Sequence, residues 1–144
     1  MRIVIRADAA LHIGTGHVMR CLTLANALKE KGAEVSFVCR PFAGHLGERI
    51  IAERHRLYLL PPPTQPIKPP DQKQTPTHTF WLGEYWETDL VQTQIVLNEK
   101  QFDWLIVDHY SLDFRWENEM RKFASKIMVI DDLADRRHDC DLLL

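Results

Sequence analysis

Short apolar segments rich in β-branched residues alternate with longer segments of helical periodicity, and this alternation constrains the fold more than any other feature of the chain. The pattern predicts strands at Arg2–Ala7, Glu34–Cys39, Arg56–Leu60, Phe102–Val107 and Lys126–Ile130. It predicts helices at Gly16–Lys31, Gly44–Glu53, Glu84–Leu97 and Asp113–Ala124. Several strands are apolar on both faces, which is typical of a parallel sheet covered by helices on both sides. The sequence therefore predicts an α/β fold with a doubly wound, mostly parallel sheet.

Local signals mark two of the helix ends. Gly32 follows the last turn of the first helix and suits a left-handed cap. Asp113 is expected to cap the last predicted helix at its N-terminus. The apolar residues of that helix recur at helical spacing: Trp116, Met120, Phe123 and Ala124.

A proline-rich segment interrupts the alternation. Six of the ten residues in Pro61–Pro70 are proline, which lacks an amide donor and disfavours helices and central strands. Residues Pro61–Thr79 are therefore predicted to form a loop of nineteen residues. A loop of this length is either a variable surface insertion or a functional segment, and the sequence leaves both possibilities open.

The composition excludes several classes of protein. The chain has 144 residues, of which 45% are hydrophobic, and this fits one globular domain. Eighteen basic and twenty acidic residues give a net charge of −2, which provides no electrostatic footprint for nucleic acid or an anionic membrane. No apolar run approaches the ~18 residues of a membrane span. Three cysteines without metal-ligand spacing indicate reduced thiols and a cytoplasmic protein.

The chain ends on an apolar run, Asp141–Leu144, without a turn or polar tail. We interpret this run as the beginning of a strand or an interdomain segment. Residues 1–144 are therefore expected to form the N-terminal domain of a longer protein.

Polar residues follow four of the predicted strands. They are Asp8, Arg40, Asp108-His109-Tyr110 and Asp131-Asp132. Ligands of doubly wound sheets bind at the carboxyl ends of the strands, so this edge is the expected site. A chain that leaves a buried strand also becomes polar simply because it enters water, and only the coincidence of four such ends favours a site.

A glycine turn, Gly14-Thr15-Gly16, lies between the first strand and its helix. Glycine allows a backbone to approach a ligand closely, and the free amides of a helix start attract anions. The third glycine of a dinucleotide fingerprint would fall at Met19, and no Gly-Lys-Ser/Thr follows. Nicotinamide enzymes and P-loop NTPases are therefore disfavoured.

His17 lies in the first turn of the predicted helix. The positive end of the helix dipole disfavours a charged imidazole, and a neutral imidazole can accept a proton as a general base. A histidine here can also serve only as a helix cap. The acidic run Asp131–Asp141 includes His138 but has no established metal-ligand spacing, so a solvated or substrate-positioning loop is preferred and no metal is predicted.

The motifs together resemble a known enzyme family. They are Ile5-Arg6-Ala7-Asp8, Gly14-Thr15-Gly16-His17-Val18-Met19-Arg20-Cys21-Leu22, Val107-Asp108-His109-Tyr110, Ile130-Asp131-Asp132-Leu133-Ala134-Asp135-Arg136 and His138-Asp139-Cys140-Asp141. In this order they resemble the UDP-2,4-diacetamido-2,4,6-trideoxy-β-L-altropyranose hydrolases of pseudaminic acid biosynthesis. The proline-rich segment departs from the resemblance.

The resemblance implies the Rossmann-like N-terminal half of a two-domain glycosyltransferase-B-type fold, with the nucleotide held largely by a C-terminal domain. It implies that His17 activates water for attack at the anomeric carbon, so that UDP leaves with inversion and without metal or cofactor. The 144 residues alone are expected to be inactive.

The remaining site residues combine strand-end position with the resemblance. The sugar-binding candidates are Asp8, Asp108, His109 and Tyr110. Backbone amides near Gly14 and Gly16, with Arg20 or Arg6, are candidates to stabilise the anionic part of the substrate. Arg20 can equally be a structural ion-pair partner.

Two alternative functions stay open. One is a nucleotide-sugar glycosyltransferase of the same fold, in which an alcohol or lipid replaces water as the acceptor. The other is a catalytically silent domain that binds sugar nucleotides.

Overall fold

The computed structural model describes residues 1–65 and 78–144. Within these residues six parallel strands form one sheet, in the order β3-β2-β1-β4-β5-β6. The strands are β1 (Arg2–Ala7), β2 (Glu34–Cys39), β3 (Arg56–Leu59), β4 (Phe102–Asp108), β5 (Ala124–Val129) and β6 (Leu142–Leu143). The predicted doubly wound, Rossmann-like α/β fold is confirmed, and the apolar run at residues 142–143 is a strand.

Helices cover both faces of the sheet. They are α1 (Gly16–Glu30), α2 (Gly47–Ala52), α3 (Trp86–Leu97) and α4 (Phe114–Met120), with a short 3-10 helix at Thr79–Leu82. The alternation of side chains along β1 shows why both faces are apolar. Ile3 and Ile5 point into the core beneath α1 and α2, whereas Val4 points into the core beneath α3 and α4.

The predicted helix ends are confirmed at two positions. Gly32 has a φ of +85°, and the amide of Ala33 donates to the Leu28 carbonyl at 3.0 Å, which closes α1. The Asp113 carboxylate accepts the Arg115 amide at 3.0 Å and so caps α4. The other predicted boundaries, apart from the end of α4, agree within about three residues.

The predicted end of α4 is wrong. The helix ends at Met120, and Ala124 is the first residue of β5. Ala124 pairs with Phe102 of β4, whose amide donates to the Phe123 carbonyl at 2.8 Å. Phe123 and Ala124 pack against the same core as Trp116. Their positions in the sequence therefore match the apolar spacing of a helix, although both residues lie beyond the end of α4.

Most of the predicted loop Pro61–Thr79 lies outside the described residues, namely at positions 66–77. Residues 61–65 form neither helix nor strand, and the amide of Gln65 donates to the Gly83 carbonyl at 3.0 Å. The loop prediction ends one residue too late, because Thr79 begins the 3-10 helix.

Two further findings concern the helices and the cysteines. Across residues 1–65 and 78–144, no helix has both the length and the apolarity needed to cross a membrane. Cys21, Cys39 and Cys140 are free thiols, as the sequence predicts.

The two faces of α3 supply a test of the core. Leu97 is fully buried between α3 and the sheet, whereas Ile95 on the same helix is 69% exposed. We expect Leu97→Ala to lower the free energy of unfolding by about 2–5 kcal/mol, because it leaves a cavity. The matched change Ile95→Ala is expected to stay within about 0.5 kcal/mol. Urea titration of both variants measures the difference, and equal effects would contradict this packing.

Candidate active site

The carboxyl ends of β1, β2, β4 and β5 meet at one edge of the sheet, as predicted. Parallel pairing places Ala7 of β1 opposite Asp108 at the end of β4. The loop after β1 and the first turn of α1 lie over this edge. The structure thereby brings His17, Arg20, Asp108 and Tyr110 together.

His17 and Asp108 form the centre of the candidate site. His17 is the second residue of α1, and its Nδ1 lies 2.6 Å from Oδ1 of Asp108, which is completely buried. A carboxylate this close requires a proton on Nδ1, so Nε2 of the neutral ring carries the lone pair. Within the described residues no hydrogen bond occupies Nε2. The His17 side chain keeps 9% of its surface exposed.

Arg20 holds the same carboxylate from one turn further along α1. Its Nε donates to Oδ2 of Asp108 and its Nη2 to Oδ1, both at 2.6 Å. Burial alone would raise the pKa of Asp108, but the hydrogen bonds from Arg20 and His17 outweigh burial and lower this pKa. Asp108 is therefore a carboxylate at neutral pH, and Arg20 balances its charge.

The aromatic rings of Tyr110 and Trp81 lie next to His17. The Tyr110 ring meets the His17 ring edge-on at 4.6 Å, and the Trp81 ring stacks on Tyr110 at 5.5 Å. The Tyr110 hydroxyl donates a short hydrogen bond to the Asp132 carboxylate. Burial and this carboxylate raise the pKa of Tyr110, so its hydroxyl keeps its proton at neutral pH. The arrangement combines an apolar wall with hydrogen-bonding groups, as small-molecule sites commonly do.

A layer of paired charges lies directly beneath this site. Arg6 of β1 donates to Asp8 at 2.6 Å and to Asp89 of α3 at 2.7 Å. Arg40 donates from Nη2 to Asp89 at 2.8 Å and from its amide to Asp8 at 2.7 Å. All four side chains are completely buried, and their charges sum to zero. Burial disfavours the charged Asp8, but Arg6 and His109 outweigh it and hold the pKa of Asp8 well below its usual range.

His109 belongs to this layer. Its Nδ1 accepts the Ser111 amide at 3.1 Å, and its Nε2 lies 3.1 Å from Asp8. Burial lowers the pKa of His109, although Asp8 opposes this shift. Asp8 and His109 were predicted to contact a substrate, and the structure places both below the surface on which His17 and Tyr110 lie.

The two glycines of the turn after β1 have different backbone conformations. Gly14 has a φ of +84°, a conformation that favours glycine, and its amide donates to the Ala10 carbonyl at 2.7 Å. Nothing lies within 4 Å of the space that a side chain would fill at Gly14 or Gly16. Thr15, the N-cap residue, makes no side-chain hydrogen bond to the helix. The first amides of α1 are thus available to a ligand.

The acidic run Asp131–Asp141 is fixed to the fold. Glu117 of α4 accepts from His138 at 2.7 Å and from the Asp139 amide at 2.6 Å, and Arg136 pairs with Asp131 at 2.9 Å. The Glu117 carboxylate raises the pKa of His138. In the part of the chain that the structure describes, no three His, Cys, Asp or Glu side chains are grouped so that they could hold a metal ion. This run is therefore an ordered ion-paired loop.

Sequence reasoning missed Asp89 and Glu117, which organise the two buried networks. Each is an acidic residue within the apolar stripe of a helix, next to Leu90 and Trp116 respectively. A charge at such a position must be paired, and this is the signal that could have identified both.

Comparison with known proteins gives one distant relative. The chain is 27% identical over 145 residues to a protein of Campylobacter jejuni named UDP-2,4-diacetamido-2,4,6-trideoxy-beta-L-altropyranose hydrolase. The match covers 100% of this chain and only 41% of the relative. The chain therefore spans about two fifths of the relative's length. No family model matches the sequence. The chain is thus distantly related to a nucleotide-sugar enzyme.

The buried charge layer provides a stability test. Asp89→Asn leaves Arg6 and Arg40 with one carboxylate instead of two, and we expect the free energy of unfolding to fall by about 3–5 kcal/mol. Glu119→Gln, which breaks the exposed pair with Lys122, is the control and is expected to cost at most about 1 kcal/mol. Chemical denaturation compares the two, and a small loss for Asp89→Asn would show that the layer does not stabilise the fold.

Proposed function

We propose that the protein hydrolyses a UDP-linked 2,4-diacetamido-2,4,6-trideoxy sugar at C1, in pseudaminic acid biosynthesis, with His17 as the general base. One observation carries the proposal: Asp108 binds Nδ1 of His17 and leaves the Nε2 lone pair for a water molecule. The distant relationship to a UDP-sugar hydrolase supports the choice of substrate.

In the proposed reaction Nε2 of His17 takes a proton from water as the water oxygen attacks C1. The bond between C1 and the UDP oxygen breaks, UDP leaves with the electron pair, and the configuration at C1 inverts. His17 is then an imidazolium, which the adjacent Asp108 carboxylate stabilises, and it returns its proton to solvent. The proposal includes no metal or cofactor, because a side chain activates the water.

The surrounding groups have complementary proposed roles. The Tyr110 hydroxyl and the Trp81 ring contact the sugar and its acetamido groups. The free amides near Gly14 and Gly16 stabilise the charge that develops on the leaving diphosphate. Asp8 and His109 support the loop that carries Tyr110 from below.

The nucleotide is proposed to bind mainly to a second, C-terminal domain, as in a glycosyltransferase-B-type enzyme. The relative is more than twice as long as the aligned region, which is consistent with such a domain. We accordingly propose that residues 1–144 alone turn over little substrate and that the reaction takes place in the cytoplasm.

A turnover assay tests the proposal. Full-length protein is mixed with UDP-2,4-diacetamido-2,4,6-trideoxy-β-L-altropyranose in ¹⁸O-enriched water, and free UDP and free sugar are measured. We expect both products, with ¹⁸O in the sugar. His17→Asn is expected to lower kcat by about 10²–10⁴-fold, because it removes the base, while UDP still binds.

His55→Gln is the matched control, because His55 precedes β3 at the opposite edge of the sheet and bonds Asn26 at 2.8 Å. It is expected to keep near-normal turnover. Label in UDP, or normal turnover by His17→Asn, contradicts the mechanism. UDP release that requires an added alcohol indicates a glycosyltransferase, and UDP binding without reaction indicates a silent binding domain.

A further inference from the structure

We infer that Arg20 is a positioning residue, which acts on His17 through Asp108 by fixing this carboxylate and offsetting its charge. The inference rests on the proposed role of His17. It assigns Arg20 a task other than contact with the anionic part of the substrate.

The geometry shows how Arg20 fixes Asp108. The planar guanidinium donates to both carboxylate oxygens at 2.6 Å, a two-point contact that prevents rotation of the carboxylate. Oδ1 of Asp108 also accepts from His17, so one oxygen atom receives both donors. Any rotation of Asp108 would therefore turn the imidazole and move Nε2. Arg20 and His17 are three residues apart on α1, which places them on the same face of the helix.

The charges show how Arg20 acts on proton transfer. A buried carboxylate beside His17 would by itself favour the protonated imidazole. The Arg20 cation neutralises this carboxylate, and its Nη2 lies 3.3 Å from Nδ1 of His17, where it disfavours a second positive charge. Arg20 thereby offsets the charge of Asp108 at the oxygen atom through which Asp108 contacts His17.

The other groups around the pair do not replace Arg20. The Asp132 carboxylate is 3.8 Å from the Arg20 guanidinium, but it is largely exposed and water screens it. Tyr110 packs against His17 and is uncharged at neutral pH. The Cys21 thiol donates to Asp108 at 3.5 Å, and burial raises its pKa, so it carries no charge either. Arg20 is the one cation among the described residues that contacts Asp108.

The test follows the His17 imidazole directly by NMR titration in the full-length protein, without substrate. Relative to the unaltered protein, Arg20→Gln is expected to titrate His17 at higher pH, since the unpaired carboxylate then favours the protonated ring. Arg115→Gln is the matched control. Arg115 makes the same type of two-point contact with the carboxylate of Asp113, the residue that caps α4, and its loss is expected to leave the His17 titration unchanged.

Arg20→Lys keeps the charge but loses the two-point contact, and is expected to give a smaller upward shift. If Arg20→Gln does not fold, the Arg20→Lys variant tests the positioning role instead.

In active protein the acidic limb of the plot of kcat/KM against pH is expected to move in the same direction as the His17 titration. The affinity for UDP is expected to stay unchanged. A His17 titration that equals the Arg115→Gln control overturns the inference. A loss of UDP affinity without a shift assigns Arg20 to the substrate instead. Because the titration needs no turnover, it is decisive even if the hydrolase proposal fails.

Discussion

The candidate site depends on one buried carboxylate, that of Asp108 at the end of β4. A buried charge is unfavourable unless polar groups surround it, and Asp108 receives donors from His17, Arg20 and Cys21, all on α1. The same contacts that satisfy the charge therefore fix the start of α1 over the sheet edge. They also determine which nitrogen of His17 faces away from the protein. The position of the helix and the orientation of the His17 ring therefore have the same cause.

A second layer of paired charges lies below the candidate site. Arg6 and Arg40 alternate with Asp8 and Asp89, so that β1, the end of β2 and helix α3 are joined below the surface that carries His17. Breaking one member of such a set leaves an unpaired buried charge, which is far more costly than losing an exposed pair. The lower layer holds the strand ends together, and the upper layer carries the polar groups of the candidate site.

The fold could be predicted from the sequence because strand and helix patterns are local. The run at 104–107 is apolar throughout, and Asp113 has the residue type of a helix cap. The edge that carries the site followed from parallel topology. Pairing partners could not be predicted, since Asp89 lies far from Arg6 in sequence and meets it only after α3 packs on the sheet. The end of α4 was missed for a related reason, because strand pairing of Ala124 with β4 overrode its helical spacing.

The central claim is that Asp108 holds the proton of neutral His17 on Nδ1 and leaves Nε2 as the acceptor. Long-range ¹H–¹⁵N correlation spectra of the full-length protein measure this tautomer directly. The account predicts that the neutral His17 ring is protonated at Nδ1, and that Asp108→Asn weakens this preference by removing the carboxylate. A neutral ring protonated at Nε2 would contradict the account, since that nitrogen could then not take a proton from water.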